Sequence, residues 1–345
     1  MREGRGTLRR DDARAVSEIM GVSMLLAMVI STMAGVIVLM QPFMEDLNDN
    51  RDWSAASVAA NQFSDRLNVA AEAPEGSGIV TKSQHLADTI RPLRLAEIWS
   101  VSADLAGSDR VIVTLGSNAV NVTSVNGTAT DVTITTSMGQ NNGTLDDGQG
   151  EIVIGLDLSN WIIIDVHDTN GIVIHRWIQV PLDGIQLRTP LNEGTFQIDL
   201  VNGARIEQLP NKPIDVRVYP RLNHDQTLDG QYRVSLVLLN TQMSGLTDHS
   251  IGMSLELISG GVVSFFDGDA RNLRIVTDFA AIDGRESRYL HEWTDDYDIH
   301  RAIGELDDYN GFGPYGRVSG VEGMTLHPTN AIIHLDVIMQ QVIIQ

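Results

Sequence analysis

Three Asn-x-Thr triplets lie close together: Asn121-Val122-Thr123, Asn126-Gly127-Thr128 and Asn142-Gly143-Thr144. Each has the form of an N-glycan acceptor, in which the asparagine amide takes the sugar and a hydroxyl two residues on completes the motif. A threonine-rich stretch also produces such triplets by chance. Acidic groups at Asp267/Asp269, Asp295/Asp296/Asp298 and Glu305/Asp307/Asp308 offer the oxygen ligands that calcium takes. None has the fixed glycine and terminal glutamate of a calcium loop, and in so acidic a chain solvated surface is the simpler reading. His167 and His175 flank one expected hairpin without a third ligand, and there is no HExxH. GxSxG is also absent, and the glycine-rich run 311–316, Gly-Phe-Gly-Pro-Tyr-Gly, has Gly-x-Gly-x-x-Gly spacing but sits in an acidic, aromatic context and reads as a loop. No catalytic residue, cofactor or metal ligand is assigned, and the chain reads as a non-enzyme.

The elements that would carry these residues are set by one stretch. Ile19–Met40 is 22 residues without a charge, a proline or an aromatic ring. As a helix it spans about 33 Å, enough to cross the hydrocarbon of a bilayer. Five arginines precede it (Arg2, Arg5, Arg9, Arg10 and Arg14), and the sequence after Pro42 turns acidic. That bias places the N-terminus in the cytoplasm and the rest outside the cell. The 345 residues carry 24 basic and 45 acidic side chains, a net charge of −21. Such a surface argues against a nucleic-acid partner and suits a salty medium, where carboxylate repulsion is screened. There is no cysteine, which excludes disulfides and thiol chemistry.

The small-residue cleavage signal lies before the apolar run rather than after it, the reverse of an ordinary secretory signal. Arg14-Ala15-Val16-Ser17-Glu18-Ile19-Met20-Gly21-Val22 resembles the start of archaeal type IV pilins and pilin-like proteins, which carry a class III signal peptide. The resemblance covers about residues 10–40. It implies cleavage between Ala15 and Val16 by a membrane-embedded prepilin peptidase, with the apolar helix kept on the mature chain as a filament core or membrane anchor. Glu18 departs from the pattern, since many archaeal members have proline there. A carboxylate at that point is favourable beside the helix N-terminus and costly deeper in lipid. It is read either as a helix-start residue or as a partner for a neighbouring subunit's amine. Gly21 and Gly35 would permit close helix approach, though no clean small-xxx-small repeat is present. Met20, Met24 and Met28 form one stripe, facing either a helix partner or lipid.

Pro42 is expected to kink the helix or mark its exit. A helical pattern resumes from Trp53 to Ala73, with Ala56, Ala60, Phe63, Leu67, Ala70 and Ala71 on one face. After Pro74 the pattern turns to β, with Val, Ile and Thr alternating with polar residues and Asn170-Gly171 marking a tight hairpin. A short helix is expected within 295–309. The predicted organisation is a leader (1–15), a transmembrane helix with an amphipathic extension (16–73), a β-rich domain (74–190) and a second β-rich domain or its continuation (191–345). The fold class is thus an N-terminal transmembrane α-helix followed by a mainly-β extracellular region, as one or two antiparallel β-sandwiches. Residues 75–345 are expected to fold without the helix. The expected function is a major or minor subunit of a pilus-like filament serving adhesion. Its partners would be the peptidase, the membrane and other pilin subunits. The alternative is a membrane-anchored binding or envelope module that never polymerises.

Overall fold

The computed structural model describes residues 6–82, 89–107, 109–116, 119–155, 160–244, 249–250, 254–278, 303–307, 321–326 and 331–345. One helix, α1 (Gly6–Glu72), is followed by strands throughout. Two compact units result: Met1–Ala55 with Leu191–Glu193, and Ala56–Pro190 with Gly194–Gln345.

Pro42 does not end α1, and neither does the polar run Asn48-Asp49-Asn50-Arg51-Asp52. A proline inside a helix removes one amide donor and strains one turn. The apolar run before it and the helix formers after it continue the ladder on both sides. Ser23 donates its hydroxyl to Ile19 O (2.8 Å), and Thr32 donates to Met28 O (2.9 Å), so neither hydroxyl is left bare on the apolar surface. In the same unit Asp49 accepts the backbone N–H of Asn192 at 3.1 Å and its Nδ2 at 3.0 Å.

The second unit starts with the last four turns of α1. Ala56, Ala60, Phe63, Leu67, Ala70 and Ala71 are all buried there, at the 3–4 spacing of one helix face. Ser57 donates to Glu207 (2.8 Å), and Arg221 pairs with Glu72 (2.8 Å). The helix ends where Ser259 Oγ donates to Ala73 O (2.9 Å), followed by Pro74 and a turn at Gly76.

Nineteen strands follow among the described residues. The first group is β1 (Gly78–Lys82), β2 (Thr89–Asp104), β3 (Val111–Leu115), β4 (Ala119–Ser124), β5 (Ala129–Thr136), β6 (Gly139–Thr144), β7 (Gln149–Val153) and β8 (Ile162–Asp168). Next come β9 (Val173–Leu191), β10 (Gly194–Val201), β11 (Ala204–Gln208), β12 (Asp215–Val218), β13 (Leu222–Gln226) and β14 (Tyr232–Met243). The chain closes with β15 (His249–Ser250), β16 (Ser254–Asp278), β17 (Ile303–Asp307), β18 (Val321–Leu326) and β19 (Ile333–Ile344). The path β12-β11-β10-β9-β2-β16-β19-β14-β13 runs through one large sheet, and β3-β4-β7 form a small second one.

β16 explains how one sheet encloses a core. Its first part pairs with β19 from Leu257 to Ala270, and its last part pairs with β2 and β18. The β19 ladder is broken by bulges at Ser259/Gly261 and Ser264/Phe266, which bend and twist a strand. Gly261 has φ +89°, a conformation that glycine adopts without strain. Beyond the bends, Val234, Leu236 and Val337 meet Trp99, Val101 and Val180 in one core. A second core joins the small sheet to β5 and β8, through Val120, Val122, Val132, Ile134, Ile162 and Ile164.

Two sequence expectations change here. β14 and β19 pair in parallel over Tyr232–Met243, whereas pairs such as β2 with β9 and β16 with β19 are antiparallel as expected. Ile303–Asp307, inside the expected short helix, is a strand paired with β18; the rest of that stretch lies outside the described residues. Thr189-Pro190, where the stretches 74–190 and 191–345 meet, lies inside β9, and the neighbours of β9 share the large sheet.

The β8–β9 hairpin turns at Asn170-Gly171 as expected, with Gly171 at φ +76°. Asp168 closes it by accepting the N–H groups of Ile172 (2.9 Å) and Asn170 (2.8 Å), and these bonds hold its carboxyl below the usual range. On the next strands, buried His175 donates Nδ1–H to Asp104 at 2.8 Å, and Asn272 Nδ2 donates to the other oxygen at 2.8 Å. Burial raises the pKa of Asp104. The bonds from His175 and Asn272 and the nearby charges outweigh it, so the net pKa is lowered. A carboxylate with a lowered folded pKa adds stability above its unfolded pKa of about 3.9, and that stability is lost as pH falls through the folded value. Asp104→Asn should therefore cost about 1–3 kcal/mol at neutral pH. Paired urea melts of wild type and variant should show the gap closing as pH drops below about 4.

Candidate functional site

Every side chain from Val16 to Met40 is exposed. Among the described residues, α1 is the one helix long and apolar enough to cross a membrane. A contiguous apolar surface this large marks lipid or a partner. Glu18 is exposed near its start. Met20, Met24 and Met28 are exposed on one stripe, at 65%, 77% and 72%. A Cβ built on Gly21 or Gly35 would meet nothing within 4 Å. The chain's own fold therefore requires glycine at neither position, and both leave room for a second helix to approach closely. Arg14, Ala15 and Val16 lie on the helical backbone, four turns before Ser31.

The three sequons fall in the second unit, and the structure treats them differently. Asn121 is exposed on β4, the middle strand of the small sheet, with Thr114 and Glu151 opposite it on either side. Asn126 sits in the β4–β5 turn, built around the buried carboxylate of Asp109. Asp109 accepts Thr128 Oγ1 (2.6 Å), the N–H of Asn126 (2.9 Å), the N–H of Thr128 (3.3 Å) and the Ser124 hydroxyl. Burial raises its pKa, but the Ser124 and Thr128 hydroxyls and the two backbone N–H groups hold it below the usual carboxylate range. Asn142 and Thr144 are exposed on β6, which pairs with β5 alone.

No family model, curated protein or solved structure matches this chain.

The remaining candidates separate rather than converge. His175 is held by Asp104, while His167 faces Thr133 Oγ1 at 3.1 Å. Asp267 and Asp269 flank His334, at 3.2 and 3.6 Å, on neighbouring strands. Among the described residues, no group of three or more His, Cys, Asp or Glu side chains is arranged to hold a metal ion. Asp295, Asp296, Asp298, Asp308 and the 311–316 loop lie outside the described residues.

Sequence reasoning missed Asp109. Its partners lie 15 to 19 residues away, and a single aspartate before a strand carries no local signal. It also missed Glu207, buried beneath α1 with Ser57, Arg205 (3.3 Å) and Arg217 (3.2 Å) around it. An acid in an alternating strand reads as solvent-facing unless the covering helix is known.

Proposed function

We propose that this chain is an archaeal pilin-like surface protein, inserted by its N-terminal helix and trimmed between Ala15 and Val16 by a prepilin peptidase. The helix then serves as the assembly element of a pilus-like filament, and the β region is displayed outside the cell for adhesion. The observation that carries this reading is the uncharged apolar run from Ile19 to Met40, in which every residue is exposed. It begins three residues after the position where the resemblance puts the new N-terminus. The arginine-rich stretch before it supports an N-in orientation. The three exposed asparagines of the sequons suit an external, glycosylated β region. Partners under this reading are the peptidase, the membrane and other copies of the helix.

A second reading, a membrane-anchored module that does not polymerise, draws support from the β region. Its two cores and the long strand β16 give a large module suited to binding. Shearing cells and assaying the released filaments for this chain separates the two. The filament reading expects the chain in the sheared fraction. Recovery from the membrane fraction alone would favour the anchored module.

A further inference from the structure

We propose that Asn142 is the N-glycan acceptor of the folded chain, and that the fold closes Asn126 to the same modification. This deepens the reading above, because it rests on the β region lying outside the cell.

The acceptor motif works through two groups, the asparagine amide and the hydroxyl two residues on. Both must be free, and the backbone between them must be able to seat in a transferase. At Asn126 the fold engages the hydroxyl and the backbone, while the side-chain amide itself stays exposed. The Thr128 hydroxyl donates to Asp109 at 2.6 Å, and the backbone N–H of Asn126 donates to the same carboxylate at 2.9 Å. Asp109 is 9% exposed and ionised, so these are charge-assisted bonds in a half-dry setting. The turn is also pinned from the side, since a Cβ on Gly148 would come within 2.7 Å of the Gly127 Cα. Presenting Thr128 to an enzyme requires breaking the hub.

At Asn142 nothing of the kind is in the way. Asn142 and Thr144 face outward together on β6, and neither has a charged partner. Among the described residues, the one side-chain bond to Asn142 is a long 3.4 Å contact from Gln140. The intervening Gly143 turns inward, where a Cβ would lie 2.3 Å from Ile152, so the motif rests on the second core by its glycine alone. Among the described residues β6 is an edge strand with one ladder partner, and an edge strand peels more readily than a central one. Asn121 is exposed but lies between two ladders, so lifting it breaks pairing on both sides.

The modification proceeds by attack of the Asn142 amide nitrogen on the anomeric carbon of a glycan carried on a lipid phosphate. The C–N bond forms and the anomeric C–O bond breaks. One amide proton passes to a base, and the lipid phosphate leaves with the electron pair. A glycan there would also shield an exposed sheet edge from pairing with another chain.

The test is glycopeptide mass spectrometry on the full chain from its native membrane, with protease accessibility of the β region on intact cells measured in parallel. Glycan on the Asn142 peptide is expected, with occupancy at Asn126 lower by about tenfold or more, the worth of one charge-assisted hydrogen bond. Asn142→Gln should remove the glycan mass, and Asp109→Asn should raise occupancy at Asn126. Equal occupancy at Asn126 and Asn142 in the wild-type chain overturns the proposal. So does a bare Asn142 on a β region that protease reaches from outside. A β region that protease cannot reach overturns the surface reading itself.

Discussion

Gly35→Leu is expected to leave membrane insertion and trimming at Val16 intact while reducing filaments sharply or abolishing them. In the isolated chain a side chain at position 35 has open space, with nothing within 4 Å of a Cβ there. Leucine is also a better helix former than glycine by roughly 0.5–1 kcal/mol, so the helix itself gains. Lipid accommodates the extra volume. A packed helix bundle does not, and overpacking costs about 1–3 kcal/mol at a contact. In a filament that cost recurs at every subunit. Electron microscopy of sheared fractions, with immunoblots of membranes, reads both halves of the result. Filaments of normal abundance from Gly35→Leu would show that this face does not pack. A mid-helix charge such as Ala27→Asp is a poorer probe, because it is costly in lipid and in a bundle alike.

Phe63→Ala should be the most damaging single change on the outer part of the helix, at about 3–5 kcal/mol. Phe63 is 1% exposed, in a face where Ala56, Ala60, Leu67, Ala70 and Ala71 are also buried. The alanines let the helix lie close, so the one large ring carries much of the burial. Val69→Ala, on the exposed side of the same turns, should cost under about 0.5 kcal/mol. The fragment that folds without the membrane span should therefore begin at Ala56 rather than Glu75. A chain beginning at Glu75 lacks this whole face and uncovers the buried polar group Glu207. A chain beginning at Ala56 keeps both. Urea melts should place the Ala56 fragment well above the Glu75 fragment, by several kcal/mol. Equal stabilities would mean that the helix adds nothing to the β region.

Local patterns read well wherever burial alternates with period two. Val111–Leu115, Ile162–Asp168 and Tyr232–Met243 match runs of Val, Ile and Leu with polar residues between them. The hairpin at Asn170-Gly171 follows from turn chemistry alone. Other features depended on distant partners. Gly260-Gly261 and Gly268 look like turns between separate strands, yet all three lie inside β16, which keeps its ladder with β19 through two bulges. β6 has almost no apolar residue and reads as loop; it is a strand because β5 supplies a ladder. The parallel pairing of β14 with β19 joins segments about a hundred residues apart, and no local signal announces it. Pro42 shows the opposite limit, since a strong local breaker is overridden by long helical runs on both sides. For the candidate site, the apolar span and its glycines were legible from composition. The difference between the three sequons was not, because it turns on Asp109.

The most direct measurement is the intact mass of the native chain. The account predicts a mature protein beginning at Val16, with the apolar helix retained. Loss of the first fifteen residues removes five arginines and three acids, so the net charge moves from −21 to −23. Retention of Arg2–Ala15, or a chain that begins after Met40, would contradict the account.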